Sequence, residues 1–261
     1  MIASTSQRAK IFGIEIDRYT LTEAVSLLHQ WMQEGERRCR YVVTPNLDHA
    51  VQFQTNEALR EAYDGASLVL ADGWPLVTAS RLFKDPLPER VAGSDVVPEV
   101  FRVAQTKGQP CTVFLLGAAS GVAEIAAKNI QQRWPTVKVV GTYSPPLGFE
   151  SDQVELSQIR ELVNNCNPDV LVVGFGAPKQ ELFLKQHADQ LSAGVAIAAG
   201  ATIDFFAGRQ RRAPVWVQRM RMEWSHRLLT NPRRLTGRYA KNAMALPQLL
   251  LREHRHRTAE C

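Results

Sequence analysis

The sequence predicts an α/β fold with a largely parallel sheet flanked by helices, followed by a basic helical appendage. Three observations lead there. Short apolar runs alternate with helix-period segments, the pattern of βαβ units. The chemically distinctive residues fall just past the apolar runs, where an open parallel sheet binds ligands. The composition then changes after about residue 208. A chain of 261 residues, 45% hydrophobic and 22% charged, has ample material for one large domain and a small addition.

The predicted strands are 41–44, 67–71, 112–117, 137–140, 169–174 and 195–198, each a short apolar, β-branched run. Helices are expected between them. Thr20-Leu21-Thr22-Glu23 reads as a capping box opening a helix to about residue 34. Further helical patterns cover 94–107, 121–133, 152–164 and 178–190. The arrangement is Rossmann-like. Beyond residue 208, Arg211-Arg212-Ala213-Pro214 marks a break. Trp216, Met220, Trp224 and Leu228 then recur every four residues, as on one face of a helix. Asn231-Pro232 stops that helix, and a second is expected from about Arg233.

Charge is unevenly spread. Residues 209–261 hold thirteen Lys or Arg against three acids, a net of +10, and the rest of the chain carries −5 of the total +5. An acidic body with a basic tail points to an anionic partner: membrane phosphates, pyrophosphates or nucleic acid. A solvated basic helix is the plain alternative. The four cysteines form no CxxC pair and the six histidines no HxxxH or HExxH pair, so no metal is expected. Cys111 opens an apolar run and reads as a buried small hydrophobe. Residues 1–10 lack the apolar stretch of a secretory signal, and no apolar run reaches the roughly 18–20 residues of a membrane span.

Five constellations stand at strand ends. Thr44-Pro45-Asn46 offers a hydroxyl and an amide to a sugar or phosphate, or else is a turn leading into a helix. Asp72, in Ala71-Asp72-Gly73-Trp74-Pro75, ends a strand beside an aromatic; partial desolvation there would raise its proton affinity and suit it as a general base, although Asp-Gly is also a common turn. Gly117-Ala118-Ala119-Ser120-Gly121 is a close-approach loop without the GxGxxG spacing, which disfavours a dinucleotide oxidoreductase. Gly174-Phe175-Gly176-Ala177-Pro178-Lys179-Gln180-Glu181 opens a helix whose N–H groups could meet a phosphate or a base edge; Glu181 could equally complement the helix dipole. Asp204 lies inside an apolar run and needs a specific partner. In the tail, residues 227–238 could hold a pyrophosphate through arginines.

Taken in order, these segments resemble the WecG/TagA/CpsF family of bacterial glycosyltransferases, from about residue 11 to 239. The carrying residues are Thr44-Pro45-Asn46, Ala71-Asp72-Gly73, Glu89-Arg90-Val91-Ala92-Gly93-Ser94-Asp95, Phe114-Leu115-Leu116-Gly117, Pro178-Lys179-Gln180-Glu181, Asp204-Phe205-Phe206-Ala207-Gly208, Arg212-Ala213-Pro214, and Glu223-Trp224 with Arg227. The resemblance implies an inverting, metal-independent transferase without a cofactor, peripherally associated with the inner face of the cell membrane. It would move a sugar from a UDP-sugar donor to a polyprenyl-diphosphate-linked saccharide in surface polysaccharide or exopolysaccharide synthesis.

The same resemblance makes Asp72 the general base, with Thr44 and Asn46 at the sugar. Gln180, Glu181 and Asp204 would surround the nucleotide, with Phe149 the base-stacking candidate. Arg227, Arg234 and Arg238 would grip the diphosphate, although Gly237-Arg238-Tyr239 carries one arginine where the family often has an adjacent pair. Residues 1–208 are then an α/β catalytic domain and 209–261 a membrane-associating appendage on an anionic surface. The competing reading is a nucleic-acid-binding module built on the basic tail. Against it, the tail's tryptophans share a helix face rather than forming a stacking platform, so no nucleic-acid partner is expected.

Overall fold

The computed structural model describes residues 8–34, 37–214, 216–217, 220 and 222–259, with the Arg234 side chain outside that set. Six parallel strands form the central sheet: β3 (Arg40–Val43), β4 (Leu68–Val69), β5 (Cys111–Gly117), β6 (Val137–Tyr143), β7 (Val170–Gly174) and β8 (Val195–Ala198), in the order β4-β3-β8-β7-β5-β6. All six expected strands are present. Parallel pairing demands a crossover between neighbours, so helices cover both faces and the inner strands are apolar on both sides.

The side-chain alternation is visible in the core. Leu171 and Val173 of β7 pack into one cluster with Val43, Leu116, Ala196 and Ala198. Val170 and Val172 enter the other, with Val42, Leu115, Val195 and Ile197. Each fully buried aliphatic side chain contributes about 1.5–3 kcal/mol, and truncating one such as Leu171 to Ala costs about 2–5 kcal/mol.

The expected helices are α1 (Leu21–Gln33), α5 (Gly93–Lys107), α6 (Val122–Arg133), α7 (Gln153–Cys166) and α8 (Lys179–His187). The Thr20 capping box is closed: its hydroxyl accepts from Glu23 N–H, and Glu23 accepts from Thr20 N–H at 2.8 Å. Cys111 is buried as expected, and burial pushes its thiol up to about 12.

Several elements went unforeseen. A hairpin, β1 (Arg8–Ile11) and β2 (Ile14–Asp17), turns through Phe12 and Gly13, both at positive φ, as a two-residue hairpin turn requires. Its last residue, Asp17, is buried and accepts the backbone N–H of Val69 on edge strand β4 at 2.8 Å. The short helices α2 (Leu47–Phe53), α3 (Glu57–Asp64), α4 (Trp74–Leu82) and α9 (Thr202–Phe206) complete the body.

The C-terminal segment departs from expectation in one respect. Met220 and Met222 are not helical, so the stripe from Trp216 to Leu228 does not lie on one helix. α10 (Glu223–Thr230) begins after that break, and α11 (Pro232–Ala259) follows at Pro232, as the second helix was expected to. The far end of α11 lies against the N-terminal hairpin. Leu249 joins the core, Glu253 accepts the Phe12 N–H, and Arg257 reaches Asp85 and the Phe83 and Lys10 carbonyls. Among the described residues no helix is long and apolar enough to cross a membrane.

Candidate active site

The carboxyl ends of β3, β5, β7 and β8 and the segment after β4 open into one cavity of about 640 Å3, walled on its far side by α10 and α11. That volume lies within the range of small-molecule sites. Two glycines let the backbone segments around the cavity crowd together. At Gly117, with φ near +116°, a Cβ would stand 2.7 Å from the Gly174 carbonyl carbon; at Gly93 it would meet the Ala199 backbone at 3.1 Å and Thr44 Oγ1 at 3.4 Å. No larger side chain fits there without moving the backbone.

Thr44 and Asn46 follow β3. Thr44 is mostly buried and lines the cavity. Asn46 caps α2, its side-chain oxygen accepting from Asp48 N–H at 2.9 Å and His49 N–H at 3.4 Å, while the residue also borders the cavity. The helix start read from this segment is present, and Thr44 and Asn46 also border the cavity.

Asp72 is tethered through its backbone, donating its N–H to the Pro45 carbonyl at 2.8 Å, and its side chain keeps 27% of its surface open at the cavity. Arg90 donates to its Oδ1 at 3.1 Å. Loss of water raises the proton affinity of this carboxyl, against the opposing charges of Arg90 and Arg227. Gly73 is in extended backbone at a bend, from which the chain passes directly into α4.

Gln180 ties two loops together. Its Oε1 accepts from Gly176 N–H and Gly200 N–H, both at 3.2 Å, and its Nε2 donates to Glu181 Oε1 at 2.9 Å. Gly176 N–H is thereby used within the turn, as is Gln180 N–H, which goes to the Gly176 carbonyl. Glu181 is fully buried behind the cavity wall, with its Oε1 3.3 Å from His49 Nε2. His49 Nδ1 accepts the Asn46 N–H, also at 3.3 Å. Burial opposes protonation of His49, but the hydrogen bond and charge of Glu181 outweigh it and raise its proton affinity.

Asp204 on α9 lines the cavity, as do Arg227 on α10 and Arg238 on α11. Arg238 stands 4.0 Å from Asp48 across the opening. The Arg234 side chain lies outside the described residues. Phe149 contributes to the wall but is 95% buried, its ring 4.5 Å from that of Phe175. Phe175 is the more open of the two and was not singled out from sequence, although an aromatic between two glycines was the available signal. Arg90 and His49 were also missed as members of the site.

The Glycosyl transferase WecG/TagA/CpsF family matches residues 9–260. The chain belongs to that family. This WecG/TagA/CpsF glycosyltransferase is also similar to curated proteins of Staphylococcus aureus strains NCTC 8325, COL and N315, each named N-acetylglucosaminyldiphosphoundecaprenol N-acetyl-beta-D-mannosaminyltransferase. Each is 29% identical over 232 residues, spanning 89% of this chain and 88% of the relative. The family match, residues 9–260, covers every strand of the sheet and the residues that line the cavity.

Proposed function

We propose that the chain transfers an N-acetylhexosaminyl-type sugar, with inversion, from a UDP-sugar to a polyprenyl-diphosphate-linked saccharide in cell-envelope polysaccharide synthesis. The relatives' printed names indicate N-acetylmannosamine as the group moved and lipid-diphosphate-linked N-acetylglucosamine as the acceptor. One observation carries the reading: the Asp72 carboxyl opens into the same cavity as Arg227 and Arg238. Direct displacement at an anomeric carbon needs a base for the acceptor hydroxyl and positive charge for the departing diphosphate. Asp72 takes the proton from the acceptor oxygen as that oxygen bonds to the anomeric carbon. The bond to the UDP oxygen breaks on the opposite side, and Arg227 and Arg238 hold the charge that develops without a metal. Thr44 and Asn46 line the sugar, Gln180 and Asp204 the nucleotide, with Glu181 behind Gln180 and Phe149 beneath the base.

In this reading residues 1–208 are the catalytic domain and 209–261 the appendage that seats it on an anionic bilayer at the inner face of the cell membrane. The support is an exposed apolar set on a basic segment: Trp216, Met220, Met222, Trp224 and Leu229 stand between 43% and 81% open to solvent. Such groups insert at a headgroup layer, and each basic residue near it adds on the order of 1 kcal/mol. A screen of UDP-N-acetylmannosamine, UDP-N-acetylmannosaminuronic acid and UDP-glucose against a short-chain lipid-diphosphate N-acetylglucosamine tests the reading. Turnover of one donor with an inverted product linkage is expected; no transfer from any UDP-sugar would sink it.

A further inference from the structure

The family segment at residues 89–95 and the acid at 223 have no part in the chemistry above, yet they meet at one point. Arg90 is shared by three carboxylates. Its guanidinium lies 3.1 Å from Asp72 Oδ1, 2.7 Å from Asp95 Oδ2 and 3.5 Å from Glu223 Oε2, with only 14% of its side chain exposed. Asp95 is also held by Arg212, which donates to the Ser94 carbonyl at 3.2 Å. Asp72, Arg90 and Asp95 belong to the body, whereas Arg212 and Glu223 arrive from the C-terminal segment. Glu223 stands four residues before Arg227, one helical turn away on the same side of α10.

A guanidinium that paired with Asp72 alone would hold that carboxylate as a stable anion and weaken it as a base. Asp95 already takes part of that charge at 2.7 Å, and Glu223, the third carboxylate on the guanidinium, divides it further and fixes its direction from the other side. We propose that Glu223 is a positioning residue for Asp72: by docking on Arg90 from the C-terminal segment it draws off part of the guanidinium's charge and leaves Asp72 the stronger base. This rests on the reading of Asp72 as the base.

The charged and titratable groups facing Asp72 come from four directions: Arg90 before α5, Asp95 on α5, Glu223 and Arg227 on α10, and His49 with Tyr63 from α2 and α3. Arg90 and Arg227 favour its ionised form, whereas Glu223 and Asp95 oppose it. Neutralising Glu223 therefore makes Asp72 easier to ionise and a poorer proton acceptor.

The test is the pH profile of kcat for full-length E223Q, using the donor selected by the screen and the short-chain lipid acceptor. The expected result is a kcat about tenfold lower, donor KM within about twofold of wild type, and an acid limb moved to lower pH. E223D should restore both rate and limb. E223S, which removes the charge with a smaller side chain, should move the limb the same way and serves if E223Q folds poorly. An acid limb that stays in place in a folded, charge-removed variant overturns the proposal, whatever happens to the rate. D72N separates the two levels: full activity in D72N removes the base itself, whereas an inactive D72N beside an unmoved E223Q limb removes only the role of Glu223.

Discussion

Glu253, six residues from the end of the described chain, accepts the backbone N–H of Phe12 at 2.9 Å across 241 positions of sequence. The carboxylate is buried and is steadied by Arg257 at 2.8 Å. A buried N–H left without an acceptor costs about 1–3 kcal/mol. Glu253→Ala is therefore expected to lower urea-measured stability by about 2 kcal/mol and to speed amide exchange across residues 249–259. Unchanged exchange there would show that Leu249 and Arg257 hold the helix without it.

Asp72→Asn keeps the shape of the side chain and removes its ability to take a proton. Under the proposed mechanism kcat falls by about 10²–10⁴ while UDP binding, read by calorimetry, stays within about twofold. Loss of UDP affinity in parallel would assign Asp72 to binding.

The pH dependence has a definite sign. The base works ionised, so activity is lost as pH falls through its proton affinity, which burial holds above the ordinary aspartate value. Arg227 favours the ionised form, so Arg227→Gln should move the acid limb of kcat to higher pH, opposite to E223Q. Its donor KM should also rise, since a cavity-lining cation is lost.

Gln180→Ala leaves the Gly176 and Gly200 N–H groups without their acceptor and loosens two walls at once. A stability loss of about 2–4 kcal/mol is expected, at about 1–3 kcal/mol per orphaned group with partial rescue by water. UDP protection in a melting assay should shrink with it. A variant with wild-type melting and UDP response would mean that water replaces the amide fully.

The sheet was legible because its inner strands are buried on both faces and read as unbroken apolar runs. The hairpin was not: β1 and β2 are four residues each and turn through Phe12-Gly13, without the Asn-Gly or Asp-Gly signal. α2, α3 and α4 are too short for a helical period to stand out. In the tail, four apolar residues at helical spacing suggested one helix, but Met220 and Met222 interrupt it. Asp72, Thr44 and Gln180 could be picked out because chemistry collects at strand ends. Arg90 could not, because two of its three carboxylates, Asp72 and Glu223, are distant in sequence and meet it beside Asp95 only in space.

One contact at the rim of the sheet reaches beyond catalysis. A parallel sheet ending in a strand of two residues offers a foreign strand little edge, and there the Val69 N–H is already taken by the Asp17 carboxylate. A side chain offers an incoming peptide no ladder to extend, and this one is buried and held by Arg8 at 2.9 Å. That flank of the sheet is thereby closed to strand addition by a contact made nine residues from the start of the hairpin.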